Sequence, residues 1–269
     1  MKLLNETVAL VDNDAPLPSN FQRLAELSLV IVVGLTGVGK STVLRVLEDK
    51  GVSFQLLPGR REVTDEVIIP SLQKEDGETP HPVKDRVKRF EFTARYRAKY
   101  AGGMAHALAS LAIDTAKVTD TIIFDGLRGL NEVQSAASEI PHARFIILDA
   151  PDTVRISRLL TRQDGFDTTT LADTPLNQAL LTRLLNIPDI QAVLSDDDLQ
   201  QIVQAAQISG AADDEVIKRA TIIVEERRNY DSNAARIYLT RALPPAQVLV
   251  VDTTHRTATE TAQEIMDWL

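Results

Sequence analysis

Cysteine is absent from the 269 residues. Disulfides, thiolate zinc sites and cysteine nucleophiles are therefore excluded, and the absence suits an intracellular chain. Basic charge is in deficit as well. The 29 Lys and Arg face 38 Asp and Glu, for a formal net charge of −9 and a pI near 5.0. A general nucleic-acid binder carries a basic face, so that class is set aside, while a local basic pocket for an anionic ligand is still allowed. No apolar run approaches the length of a membrane span. Met1 to Asp14 holds Glu6, Asp12 and Asp14 and lacks a basic start followed by an apolar stretch. No membrane partner and no signal peptide are expected, and the cytoplasm is the expected location. Internal repeats and low-complexity tracts are missing too.

What is present is ordinary globular material, 44% hydrophobic and 25% charged. It suffices for one large domain, or one carrying a sizeable insertion. Ala15 to Asn20, with Pro16 and Pro18, reads as a loop. Leu29-Val30-Ile31-Val32-Val33 is a β-branched apolar run and predicts a strand buried on both faces. Helical spacing follows over Ser41 to Lys50, with Gly51 placed to end it in a left-handed conformation. Further strands are expected at 52–57, at 121–124 running into Asp125, at 143–148 and at 248–251. Helical patterns occupy 63–72, 83–116 with a break at Gly102-Gly103, 152–162 and 257–268. Strands alternating with helices predict an α/β fold with a parallel sheet between two helical layers. The stretch 163–246 is mostly helical and reads as an insertion or lid. The core is then 1–162 plus 247–269, with an acceptor-side helical region at 60–116.

Between the first strand and its helix stands Gly34-Leu35-Thr36-Gly37-Val38-Gly39-Lys40-Ser41, which matches G-x-x-x-x-G-K-[ST] in its confirming context. Glycines let the backbone turn sharply and bring its N–H groups close to phosphates, and the following helix aims its positive end at the same point. Lys40 reaches the β- and γ-phosphates, and the Ser41 hydroxyl suits Mg²⁺, a cation that prefers hard oxygen ligands. Gly34, Thr36, Gly37, Val38, Gly39, Lys40, Ser41 and Thr42 are the expected nucleotide-binding residues. A second feature resembles the other hallmark of P-loop proteins: Ile122-Ile123-Phe124-Asp125, an apolar strand meeting an aspartate that approaches the Mg²⁺ shell or accepts a substrate proton. Arg128 follows and can fork onto phosphate oxygens.

On these segments the chain resembles P-loop kinases of nucleotides and related metabolites. Val33 to Val43 is similar to dephospho-CoA kinase, and Asp125-Gly126 with Arg128 is similar to adenylate kinases. The resemblance covers about half the chain and excludes 163–246. It implies a P-loop three-layer fold with five strands in the order 2-3-1-4-5. It also implies ATP as donor with Mg²⁺, and a lid after the fourth strand whose arginines close over the triphosphate. Arg158 and Arg162, four residues apart on one helical face, fill that role. The loop Asp252 to Arg256 would lie beside the base. One departure is clear: where dephospho-CoA kinases carry an acidic motif after the second strand, this chain has Leu57-Pro58-Gly59-Arg60-Arg61-Glu62.

Arg60, Arg61, Arg95, Arg97 and Arg128, with Asp65 and Tyr100, are the candidates for an anionic acceptor, because arginines beside aromatics grip a phosphate and stack a planar ring. Glu225, Glu226, Arg227 and Arg228 read as a charged helix face with local ion pairs. The expected activity is γ-phosphoryl transfer from ATP to a small anionic acceptor, with Lys40, Asp125, Arg158 and Arg162 carrying it. An ATPase or GTPase switch and a nucleotide sensor without turnover stand as alternatives. The absence of an Asn-Lys-x-Asp guanine motif favours ATP, and a homo-oligomer is left open.

Overall fold

The computed structural model describes residues 1–11, 15–118, 120–160 and 177–269. The described residues form nine strands: β1 (Lys2–Leu3), β2 (Val8–Leu10), β3 (Phe21–Arg23), β4 (Leu29–Val33), β5 (Phe54–Leu56), β6 (Leu111–Asp114), β7 (Thr121–Leu127), β8 (Arg144–Asp149) and β9 (Val248–Asp252). Five of them form a parallel sheet ordered β5-β7-β4-β8-β9, which is 2-3-1-4-5 when these five alone are counted along the chain. The expected α/β class with a five-stranded parallel sheet is what the chain adopts.

The central strands β4, β7 and β8 are buried on both faces, alternate residues facing opposite sides. Leu29, Ile31 and Val33 join Phe124, Phe145 and Ile147 in one core cluster. Val30 and Val32 join Ile123, Ile146, Leu148 and Val251 in a second, against the flanking helices Lys40–Asp49 and Ala258–Trp268. The third cluster contains no strand residue and is built almost wholly from helices. Ile156 and Leu159 of Asp152–Leu160 pack there on Leu180, Leu199, Ile202, Val216 and Ile223. The stretch expected as one insertion thus divides, because the helix Ser232–Ala242 returns Ala235 and Leu239 to the first cluster.

Two expectations are corrected. The helical pattern read over 83–116 ends early: helices Arg86–Lys99 and Met104–Ala109 are followed by strand β6, all four of whose residues are buried. Strand β6 pairs antiparallel with β2 and β3, and β1 completes a second sheet. An apolar strand covered on both faces has no alternation to distinguish it from a continuing helix. The third core strand also does not stop at Asp125 but runs through it to Leu127. Val32 pairs with Asp125 and Val33 with Leu127, so Gly126 is an extra, bulged residue. A side chain there would meet the Phe124 ring at 2.6 Å.

The stretch Arg60–Glu75 is helical throughout, with a wider π-helical segment at Thr64–Ile68 just before Pro70. Pro70 has no N–H to offer the preceding turn, so the widening falls where regular bonding is already interrupted. Among the described residues no helix is long and apolar enough to cross a membrane.

Candidate functional site

The phosphate loop leaves β4 with Gly34 N–H donating to Leu127 O at 3.1 Å. Gly37 and Gly39 hold φ values of +89° and +102°, the left-handed region open to glycine. Around the Cβ position of Gly39 nothing stands within 4 Å, whereas at Gly37 the Arg155 carbonyl oxygen would lie 2.8 Å away. One face of the loop is thus open to a ligand and the other is packed tight. Lys40 Nζ donates to Gly34 O (2.8 Å) and Leu35 O (3.0 Å), and lies 3.8 Å from Asp125.

Burial pulls the Lys40 pKa down from 10.5 to about 8, against the opposing charge of Asp125. Burial also pushes the Asp125 carboxyl upward, against Lys40 and Arg128. Asp125 Oδ1 is buried with no hydrogen-bond partner. An orphaned hard oxygen beside Ser41 and an open loop is a donor set suited to a phosphate-bound Mg²⁺, which takes one or two protein oxygens and completes its shell elsewhere. Among the described residues no cluster of three or more His, Asp or Glu side chains forms a stand-alone metal site.

Two cavities border this loop, and a third adjoins the first of them through Arg60 and Arg128. The phosphate cavity, 180 Å³, is lined by Thr36, Gly37, Gly39, Lys40, Ser41, Asp125 and Gly126, with Arg60 and Arg128 on its far wall. Towards β9 lies a 270 Å³ cavity walled by Val38, Thr42, Val43, Thr253 and Ala258, with Arg158 and Arg256. On the opposite side a 420 Å³ cavity holds Arg60, Arg61, Lys84, Arg89, Arg97 and Arg128 among Thr64, Tyr96, Met104 and Tyr230. No carboxylate lines it, and Arg60 and Arg128 are common to it and the phosphate cavity.

Arg60 forks onto Glu132 (2.6 and 3.0 Å) and also donates to Gly126 O (2.8 Å) and Tyr230 OH (2.7 Å). Burial works against its charge, yet Glu132 and Tyr230 hold its pKa above the ordinary guanidinium value. The Tyr230 ring collects Arg60, Arg128 and Arg97 at 5.1, 5.6 and 6.0 Å from its centre.

Of the predicted acceptor residues, Arg60, Arg61, Arg97 and Arg128 come together here. Arg95 does not: it turns outward to Asp76, at 2.7 and 2.9 Å. Asp65 pairs with Arg89, and Tyr100 stacks on His106, 4.2 Å between ring centres. Arg158 is placed away from the Lys40–Asp125 side. Its guanidinium donates to Thr253 Oγ1 (2.9 Å) and to the Thr253 carbonyl, lining the β9-side cavity. Arg162 lies outside the described residues.

Sequence reasoning missed Arg155 and misjudged Glu226. Arg155 is fully buried. It donates from Nε to Thr36 O at 2.8 Å and from its Nη atoms to Asp152 and Glu226. Burial lowers its pKa against the pull of those two carboxylates. Glu226, read as part of a charged helix face with local ion pairs, is 6% exposed. Its carboxylate accepts from Thr36 N–H (3.0 Å), Thr36 Oγ1 (2.5 Å), Arg128 Nη1 (2.6 Å) and Arg155 Nη2. The acids and bases packed into 225–228 hinted at pairing but gave no sign of partners 71 to 190 residues away.

No family model matches this sequence, and no curated protein matches it. Solved structures do resemble it in outline. A gluconokinase from Sinorhizobium meliloti 1021 aligns with TM-score 0.39 and 13% identity over 92% of this chain and 93% of its own. A sugar kinase from Janibacter sp. HTCC2649 gives 0.37 and 15%, covering 89% and 92%. The shikimate kinase of Acinetobacter baumannii, in complex with shikimate, gives 0.34 and 13%, covering 90% and 92%. Likeness at this level carries no activity across, and the functional reading rests on the chain's own residues.

Proposed function

We propose that this protein is an ATP-dependent phosphotransferase that passes the γ-phosphoryl group to a small anionic acceptor. The observation that carries the reading is the shared wall of Arg60 and Arg128 between the Lys40–Ser41–Asp125 cavity and a carboxylate-free cavity rich in cations. A triphosphate on the loop and an anion in the 420 Å³ cavity would meet at those two guanidiniums. The base would extend into the cavity beside Thr253, where Arg158 is one wall.

Each residue has a role set by charge and reach. The loop amides and Lys40 hold the β- and γ-phosphates, and Ser41 with Asp125 supplies oxygens to Mg²⁺. The metal would neutralise charge on the phosphates and draw electron density from the leaving group. Arg128 faces the transferring group, and Arg61 and Arg97 hold the acceptor. Catalysis is then positioning plus preorganised positive charge. The described helices from Gln178–Leu185 to Asp213–Asn229 would serve as the lid.

The test is ADP formation from Mg–ATP across a panel of phosphorylated and carboxylated metabolites. Slow turnover alone and a large stimulation by one anionic class is the expected outcome. Brisk hydrolysis with no acceptor would replace the reading with a hydrolytic switch. Tight ATP binding with no turnover under any acceptor would replace it with a sensor.

A further inference from the structure

The surroundings of the Glu226 carboxylate are more than an ion pair requires. A single guanidinium balances one carboxylate. Here two guanidiniums, a loop amide and a hydroxyl converge on it. Two of those four donors belong to Thr36 of the phosphate loop, and Thr36 and Arg128 both line the phosphate cavity. Arg155 cannot turn aside, because its Nε is fixed on the Thr36 carbonyl and its Nη1 on Asp152, so Nη2 points at this one spot.

The carboxylate also leaves the cradle incompletely used. Arg128 Nε is buried without a partner. Each carboxylate oxygen already takes two donors, and Arg128 Nε stays unserved. A tetrahedral phosphoryl group offers a third oxygen and a second negative charge to the same donors.

We propose that this four-donor cradle is the seat of the terminal phosphate of the nucleotide, and that Glu226 is its removable stand-in. The proposal rests on the phosphotransferase reading above. In the nucleotide-free chain the carboxylate keeps Arg128 and Arg155 paired and docks the helix Asp213–Asn229 onto the loop. A triphosphate expels Glu226 and takes over its donors, and the helix draws back. A diphosphate stops short of the cradle and leaves Glu226 in place. The helical segment thus reads the length of the phosphate chain.

Two measurements test this. The first is calorimetric titration of wild type and Glu226→Gln with Mg–ADP and with the non-hydrolysable Mg–adenylyl imidodiphosphate. Glutamine keeps the size and an acceptor oxygen but loses the charge that competes with phosphate. The variant should bind the triphosphate analogue about tenfold more tightly than wild type and ADP equally well. Equal or weaker binding of the analogue overturns the proposal and makes Glu226 a fixed positioning residue.

The second uses wild-type chemistry at the site and stands if the variant fails to fold. Because the chain has no native cysteine, spin labels placed by Lys218→Cys on the Asp213–Asn229 helix and Arg45→Cys on Lys40–Asp49 report one distance. Both positions are exposed. The distance should lengthen with the triphosphate analogue and stay fixed with ADP. No change with the analogue, once its binding is saturated, overturns the proposal. If wild type binds neither nucleotide, the phosphotransferase reading itself fails and the proposal with it.

Discussion

On the β9 side of the phosphate loop, the 270 Å³ cavity is walled mainly by small and apolar side chains, with Arg158, Arg256 and Thr253, whose hydroxyl donates to Val38 O at 3.0 Å. On the other side, the 420 Å³ cavity is walled by six cationic side chains gathered from three distant parts of the chain. The first can be built largely from one loop lying against another, so residue identity matters little there. In the second, buried acids hold two of the arginines in place: Glu132 holds Arg60, and Glu226 holds Arg128. Substitutions should accordingly be mild on the first side and severe on the second.

Arg60→Ala is the strongest test of that contrast. It strands Glu132, 3% exposed, and breaking a buried pair from one end costs about 3–5 kcal/mol of stability. Thermal or denaturant unfolding measures it, and adding Glu132→Gln should recover much of the loss. Recovery of none would mean the pair is not what holds this wall.

Lys40→Ala removes the cation between the two sides and should weaken triphosphate affinity by roughly a hundredfold, the scale of losing one preorganised donor to a developing charge. Calorimetry with Mg–ATP reports it. On the acceptor side, Arg97→Ala should raise the acceptor KM roughly tenfold while nucleotide affinity stays put, because truncating one partner of a charged contact costs on the order of 1–3 kcal/mol. A matched loss of nucleotide affinity would break the assignment of Arg97 to one cavity. Arg158→Ala, across the loop, should cost only a few-fold in ATP affinity, within the range of a partly exposed cation.

The smallest effect is one of pH. Lys40 in the free protein titrates near pH 8 because burial disfavours its charge. A bound phosphate favours the ammonium, so nucleotide affinity should be full below pH 8 and fall as pH rises through it. The same burial makes the charged lysine a burden on stability below pH 8, one that fades as pH approaches the unfolded value of 10.5. In Lys40→Arg the fall in affinity near pH 8 should vanish, since a guanidinium stays charged throughout.

How much of this was legible beforehand follows the reach of each signal. The phosphate loop is written in eight consecutive residues, and β4, β8 and β9 are short apolar runs that end at Gly34, Asp149 and Asp252, a length and punctuation that favour strands. Arg60, Arg61, Arg97 and Arg128 were identifiable because they follow strands or sit among aromatics near the loop. Strand β6 was hidden, since Leu111 to Asp114 continues the apolar run of the helix before it. Arg155 was passed over beside Arg158, because only the packed fold tells which arginine of a helix turns inward. Glu226 carried the opposite bias: an acid among acids and bases on a helix normally faces water. Its partners lie in three separate segments, and no local pattern announces contacts of that span.

Arg60 and Arg128 each border two chambers at once. Whatever one ligand does to the orientation of those side chains, the other ligand meets. Binding free energies coupled through a shared wall must be reciprocal: the factor by which nucleotide changes acceptor affinity equals the factor by which acceptor changes nucleotide affinity. The acceptor can therefore be sought without knowing any reaction product, as the metabolite that shifts the Kd of a non-hydrolysable nucleotide, and its own affinity must then shift by the same ratio.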